Sequence, residues 1–196
     1  MSPEEFHPFD GMKALTDLTL RECDGLTTAG FGELTRLRLV KLSMEYLNWD
    51  DAGFSLQALV GSNISDTLDE TLVLVSDGAY SVAEDALMRP DDVQLARALA
   101  SCHKLKSLRI DDPADDLLFG HNGLEGLRAM ATGCPLLAEV TLFLTASAIH
   151  CLGTHFPKLE KCNIILARPR STNPPEGYPS VEELRTLYPA VTWVYW

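Results

Sequence analysis

The feature that most constrains this chain is a spacing. Apolar side chains recur at the first, fourth and sixth places of a short unit, and the unit returns to make seven copies. It reads Leu15, Leu18, Leu20, then Leu39, Leu42, Met44, then Asp69, Leu72, Leu74, where the first place is polar and Leu68 stands beside it. It continues as Leu105, Leu108, Ile110, then Leu137, Val140, Leu142, then Leu159, Cys162, Ile164, and ends as Val191, Val194, Trp196. The first places lie 22 to 36 residues apart. Alternate residues of a strand share a face, so the fourth and sixth places read as the inward side of a short strand. The intervening chain has room for a helix. One strand and one helix cannot bury their apolar faces alone, so units at this period must stack.

A second pattern supports the same register. Four strands are preceded by related tetrapeptides: "CHKL" at Cys102, "CPLL" at Cys134, "FPKL" at Phe156 and "YPAV" at Tyr188. Each closes an apolar helical stretch, "LARALAS", "LRAMATG", "IHCLGTH" or "LRTL". Proline ends the helix and favours extended chain, and the Cys, Phe or Tyr plugs the corner between helix and strand. "LTTAGF" from Leu26 and "WDDAGF" from Trp49 each place Thr or Asp near the N-cap of a helix. The predicted fold class is α/β: one domain over 1–196, with seven parallel strands on one side and helices on the other. Within it, 1–11 is an N-terminal extension, 166–179 a Pro-rich loop and 180–196 a capping repeat.

The stretch "LTDLTLRECDGLTTAGF" from Leu15, together with "ATGCPLLAEVTL" from Ala131, resembles the cysteine-containing, ribonuclease-inhibitor-like leucine-rich repeats of F-box proteins. The resemblance runs from Leu15 to Trp196; Cys23 alone occupies the cysteine position after a strand, and no F-box is placed in the residues before Leu15. What the resemblance implies is a curved solenoid, a parallel sheet on its concave face and a role in protein recognition. A substrate-recognition or adaptor role in ubiquitin ligation is implied by the resemblance alone.

On that arrangement the third, fifth and seventh places face outward from the sheet. The third places are Asp17, Lys41, Thr71, Ser107, Glu139, Lys161 and Trp193. The fifth are Thr19, Ser43, Val73, Arg109, Thr141, Asn163 and Tyr195, and the seventh are Arg21, Glu45, Val75, Asp111, Phe143 and Ile165. Clustered exposed apolar side chains mark an interface, and Trp and Tyr are frequent hot spots. The expected site for a protein or peptide partner is therefore Phe143, Ile165, Trp193 and Tyr195, flanked by Arg109 and Lys161. Val194 and Trp196 cap the core. Three long segments follow strand ends, Ser76 to Asp92, Asp111 to Gly123 and Ala167 to Gly177, and would emerge on one rim. They read either as a second binding surface or as solvated connectors.

Charge narrows the partners. With 28 acidic against 16 basic residues the net charge is −12, which disfavours a nucleic-acid backbone and leaves a basic protein partner open. No apolar run approaches the ~20 residues of a membrane span, and the start of the chain does not read as a secretory signal. Five unevenly spaced cysteines fit reduced thiols in the cytoplasm or nucleus.

Chemistry-bearing residues are sparse. Cys151 and His155 share helical spacing, with His150 adjacent, but a closed metal site needs a second pair and none has matching spacing. "DDPADD" from Asp111 lacks the spaced acids, glycine and closing Glu of a calcium loop. Cys102 adjoins His103, an arrangement that seldom makes a nucleophile and its base. "GFGELTRL" lacks the third glycine of a dinucleotide loop, and Cys23, Cys102 and Cys134 read as core plugs. The expectation is a non-enzymatic recognition module without cofactor or metal, probing its partner as a monomer. The alternative is an assembly subunit of a larger complex.

Overall fold

The computed structural model describes residues 11–22, 34, 37–47, 66–76, 92–111, 119–165 and 177–195. Within them lie seven strands and four helices: β1 (Asp17–Arg21), β2 (Lys41–Leu47), β3 (Thr71–Ser76), α1 (Asp92–Leu99), β4 (Ser107–Asp111), α2 (Glu125–Gly133), β5 (Glu139–Phe143), α3 (Ala146–His155), β6 (Lys161–Ile165), α4 (Val181–Leu187) and β7 (Thr192–Tyr195). The strands form one all-parallel sheet in sequence order, β1 through β7. The predicted helices at "LTTAGF" and "WDDAGF", and Cys23, lie outside the described residues.

The spacing is realised rung by rung. Leu18, Leu42, Leu72, Leu108, Val140 and Cys162 stand in mutual register across β1 to β6. From Leu42 to Cys162 these side chains are buried, and all of them join one core cluster with the apolar faces of the helices. Each tetrapeptide becomes a turn closed by a backbone hydrogen bond, from Leu105 N–H to Cys102 O, Leu137 to Cys134, Leu159 to Phe156 and Val191 to Tyr188, at 3.1 to 3.2 Å. A shared device then links successive units. The carbonyl of Thr16 accepts from both Val40 and Lys41, that of Glu70 from Lys106 and Ser107, that of Lys106 from Ala138 and Glu139, and that of Ala138 from Glu160 and Lys161. The unit entering β3 is shifted by one, since Asp69 and Glu70 donate to Val40 O at 3.3 and 3.1 Å. Leu68 accordingly fills the first place and is fully buried, and Asp69 is left at the surface, paired with Lys106 at 2.7 Å.

The last unit departs from the expected register. Trp193, not Val194, aligns with Cys162, and Tyr195 aligns with Ile164; Trp196 lies outside the described residues. Regular units hold two residues between the first and fourth places, as Ala138 and Glu139 do, whereas Val191 and Trp193 are separated by Thr192 alone. The Glu160 carbonyl correspondingly receives Thr192 N–H at 2.8 Å. A one-residue shift exchanges the two faces of a strand. Trp193 is therefore 1% exposed beneath the helices, and Val194 takes the place on the other face. The gain is evident in the packing: the indole ring lies 5.8 Å from the Tyr188 ring, tilted by 49°, and closes the end of the core. At the opposite end Leu15, Leu18 and Leu20 are only partly buried.

The helices form a layer on one face of the sheet. α1 packs against α2, and α2 against α3. The first contact is close enough to require Gly133, where a Cβ would stand 2.0 Å from the Ala100 carbonyl oxygen. At Gly153 on α3 the added atom would stand 2.7 Å from the Tyr188 ring, so this glycine is the seat of that ring. α3 begins at Thr145, whose hydroxyl accepts from Ala148 N–H at 3.2 Å, and α4 at a capping box between Ser180 and Glu183.

Candidate functional site

The face opposite the helices carries the third, fifth and seventh places of the strands. Across β1 and β2 it is polar and internally paired: Arg21 meets Glu45 at 2.8 Å, and Lys41 meets Glu70 at 2.8 Å and Asp17 at 3.7 Å. Such exposed pairs add little stability and leave the surface hydrated. Across β3 and β4 the character changes. Val73 lies in register between Ser43 and Arg109, and Val75 between Glu45 and Asp111. These side chains are half-buried, and Arg109 Nη2 holds Asp111 at 2.9 Å.

After Arg109 and Thr141 the register between β4 and β5 ends. The vacated edge of β5 is taken by Phe119, whose N–H donates to Phe143 O at 2.9 Å and whose carbonyl accepts from Thr145 N–H at 3.0 Å. Phe119 is itself buried in the core. Over the latter half of β5 and the middle of β6 the face closes, with Thr141 7%, Asn163 6% and Phe143 4% exposed, while Lys161 and Ile165 at the ends of β6 stay half-buried. Asn163 Nδ2 donates to Thr141 Oγ1 at 2.9 Å, while Asn163 Oδ1 has no hydrogen-bond partner. A buried acceptor left unpaired costs about 1–3 kcal/mol.

Of the six residues expected at the site, four lie on this face. Phe143 and Ile165 are register neighbours, Lys161 stands at the start of the same strand as Ile165, and Arg109 aligns with Thr141 beside them. Ile165, Lys161 and Arg109 are half-buried, whereas Phe143 is closed off. Trp193 and Tyr195 do not lie on this face. The register shift turns both toward the helices, where Tyr195 donates its hydroxyl to the Pro179 carbonyl at 2.6 Å. Val194 is the residue that the shift brings onto the open face. The buried Thr141–Asn163 pair was not singled out from the sequence. Its signal is an asparagine inside the strand "KCNII", where that residue type is disfavoured.

The nucleophile and metal candidates resolve differently. Cys102, Cys134, Cys151 and Cys162 are free and buried. Burial pushes the Cys102 thiol up to about 11 and that of Cys134 up to about 12, and raises Cys151 and Cys162 as well. Cys134 also donates its S–H to the Leu99 carbonyl at 3.0 Å. These are protonated plugs, the opposite of activated thiolates. His103 Nδ1 meets the Gly133 carbonyl at 2.8 Å. His150 turns its Nδ1 to the Tyr188 hydroxyl at 3.1 Å, and His155 is exposed. Among the described residues no group of three or more His, Cys, Asp or Glu side chains is placed to hold a metal, and no helix is long and apolar enough to cross a membrane. Asp112, Asp115 and Asp116 lie outside the described residues, as do most of the three long segments.

No protein-family model matches the chain, nor does any curated protein or solved structure.

Proposed function

We propose that this chain is a leucine-rich-repeat solenoid that recognises a protein or peptide partner, without catalysis, on the sheet face opposite the helices. One observation carries the reading. All-parallel sheets are ordinarily covered on both faces, and here the described helices cover one. The other presents Val73, Val75, Ile165 and Val194, half-buried apolar side chains set among Arg109, Asp111 and Lys161. Such a mixture of apolar and charged groups suits a wet, reversible interface better than a permanent one. The partner's anchor residues would rest on the valine strip of β3, with Arg109 and Asp111 orienting polar groups beside it. The described cysteines support a non-catalytic role, because each is buried in its protonated form.

The test uses the full chain and two surface variants, Val75→Ser with Ile165→Ser on one side and Glu182→Gln on the helix side, each checked for folding by circular dichroism. Partners recovered by affinity purification are re-measured one at a time by biolayer interferometry. The proposal expects a partner whose affinity falls about tenfold or more, roughly 1.4 kcal/mol, in the sheet-face double variant and is unchanged in Glu182→Gln. Partners that bind the double variant as tightly as the unaltered chain would overturn it.

A further inference from the structure

The helix layer is close-packed from α1 to α3 and then opens. α4 packs on β7 and sets Leu184 in the core, and Tyr188 just after it rests its ring on Gly153, but α4 does not lie along α3 as α2 does. The space left is a groove of about 690 Å³ lined by His150 of α3, by Tyr178 and by Glu182, Glu183, Thr186 and Leu187 of α4. Its volume lies in the range of pockets that take several side-chain-sized groups.

Three properties of the wall define an occupant. The four α4 residues follow i, i+3 and i+4 spacing, so they form one continuous helix face. That face ends in Leu187, 57% exposed and one of three large apolar side chains left so open among the described residues. The charge is of one sign: Glu182 and Glu183 line the groove, and no lysine or arginine does among the described residues. One oxygen of Glu183 is committed to Ser180 N–H at 2.6 Å. This contact holds its carboxyl below the usual range, and it remains an anion. The floor is fixed. Tyr178 donates its hydroxyl to the Leu144 carbonyl at 2.9 Å, and His150 is pinned by Tyr188.

We propose that this groove is a second docking site, for a segment of another protein that presents a lysine or arginine next to an apolar residue. The cation sits against Glu182, the methylene stem runs along Tyr178, and the apolar neighbour covers Leu187. An acidic wall on a chain of net charge −12 selects such a segment over an acidic one and draws it in at long range. The site is on the opposite side of the sheet from the valine strip, so both can be filled together.

The experiment selects displayed twelve-residue peptides on the full chain and measures the enriched ones by fluorescence anisotropy. The variants are Glu182→Gln and Leu187→Gln, both at exposed positions, with Val75→Ser as the sheet-face control. Enriched peptides are expected to pair Lys or Arg with Leu, Ile, Met or Phe. Their affinity should fall about tenfold in either groove variant, weaken with added salt and be unchanged in Val75→Ser. Enrichment of peptides without a basic residue, failure to enrich any peptide, or affinity indifferent to both groove variants overturns the proposal. Peptides lost only in Val75→Ser overturn it while supporting the sheet-face site, so the two readings fail separately.

Discussion

Trp193 shows how much one residue decides in a repeat. Omitting a single position before β7 moves the indole from the surface to the core and supplies the largest buried side chain of the described structure. Trp193→Ala should therefore cost about 3–5 kcal/mol, read as a shift of the urea midpoint, because it removes both the buried ring and its packing on Tyr188. Trp193→Phe should recover most of that loss. The sequence contained the cue, Thr192 standing where regular units hold two residues, but the 1-4-6 spacing fitted Val191, Val194 and Trp196 equally well. Apolar identity alone does not distinguish two registers when both faces of a terminal strand offer apolar residues. The Thr141–Asn163 pair makes the complementary point. Thr141→Val leaves both ends of a buried amide unpaired and should destabilise by about 1–2 kcal/mol. Thr141→Val combined with Asn163→Leu removes the need altogether and should lie close to the unaltered protein. Denaturation of the two single variants and the double variant gives the coupling directly.

At the level of elements, β4 to β6 were legible because each is anchored twice, by its apolar spacing and by the tetrapeptide turn before it, whereas β1 to β3 rested on the spacing alone. The Cys, Phe and Tyr plugs sit where the tetrapeptides place them, at the ends of α1 to α4. What was not legible is how helices pack on one another, since this depends on small residues meeting across units rather than on any period within one. Gly133 is the clearest case. Its neighbour is the backbone of Ala100, a group that cannot move aside as a flexible side chain would. Gly133→Ala should destabilise by about 1–3 kcal/mol despite its better helix propensity, measurable as a lowered thermal midpoint. The groove between α3 and α4 was hidden for the same reason, because the stand-off of a helix has no signature in its own residues beyond an exposed Leu187.

At the scale of the whole molecule, the titratable groups of the core act in one direction. The thiols of Cys102 and Cys134 rise from an ordinary 9.0 to about 11 and about 12 through burial. The Tyr195 phenol rises from 10.0 to about 12, chiefly through burial and further through Tyr178 and Cys162 nearby. Each group holds its proton more tightly folded than unfolded. Their contribution is fully present below about pH 9 and is lost as pH rises through about 12. Urea midpoints measured from pH 8 to pH 12 should fall across that window, and Tyr195→Phe should flatten the fall between about pH 10 and pH 12.

The strand order has a consequence for how such a chain can change. Every strand pairs only with the strand before it and the strand after it, and one carbonyl shape serves as the joint between most of them. A duplicated unit between β4 and β6 would meet a socket already cut for it and lengthen the row, whereas deleting that unit would take away the seat of Tyr188 at Gly153. The terminal unit has no such freedom: an altered neighbour beneath Trp193 must still match one indole, which makes the closing end, and not the middle, the place where this architecture resists revision.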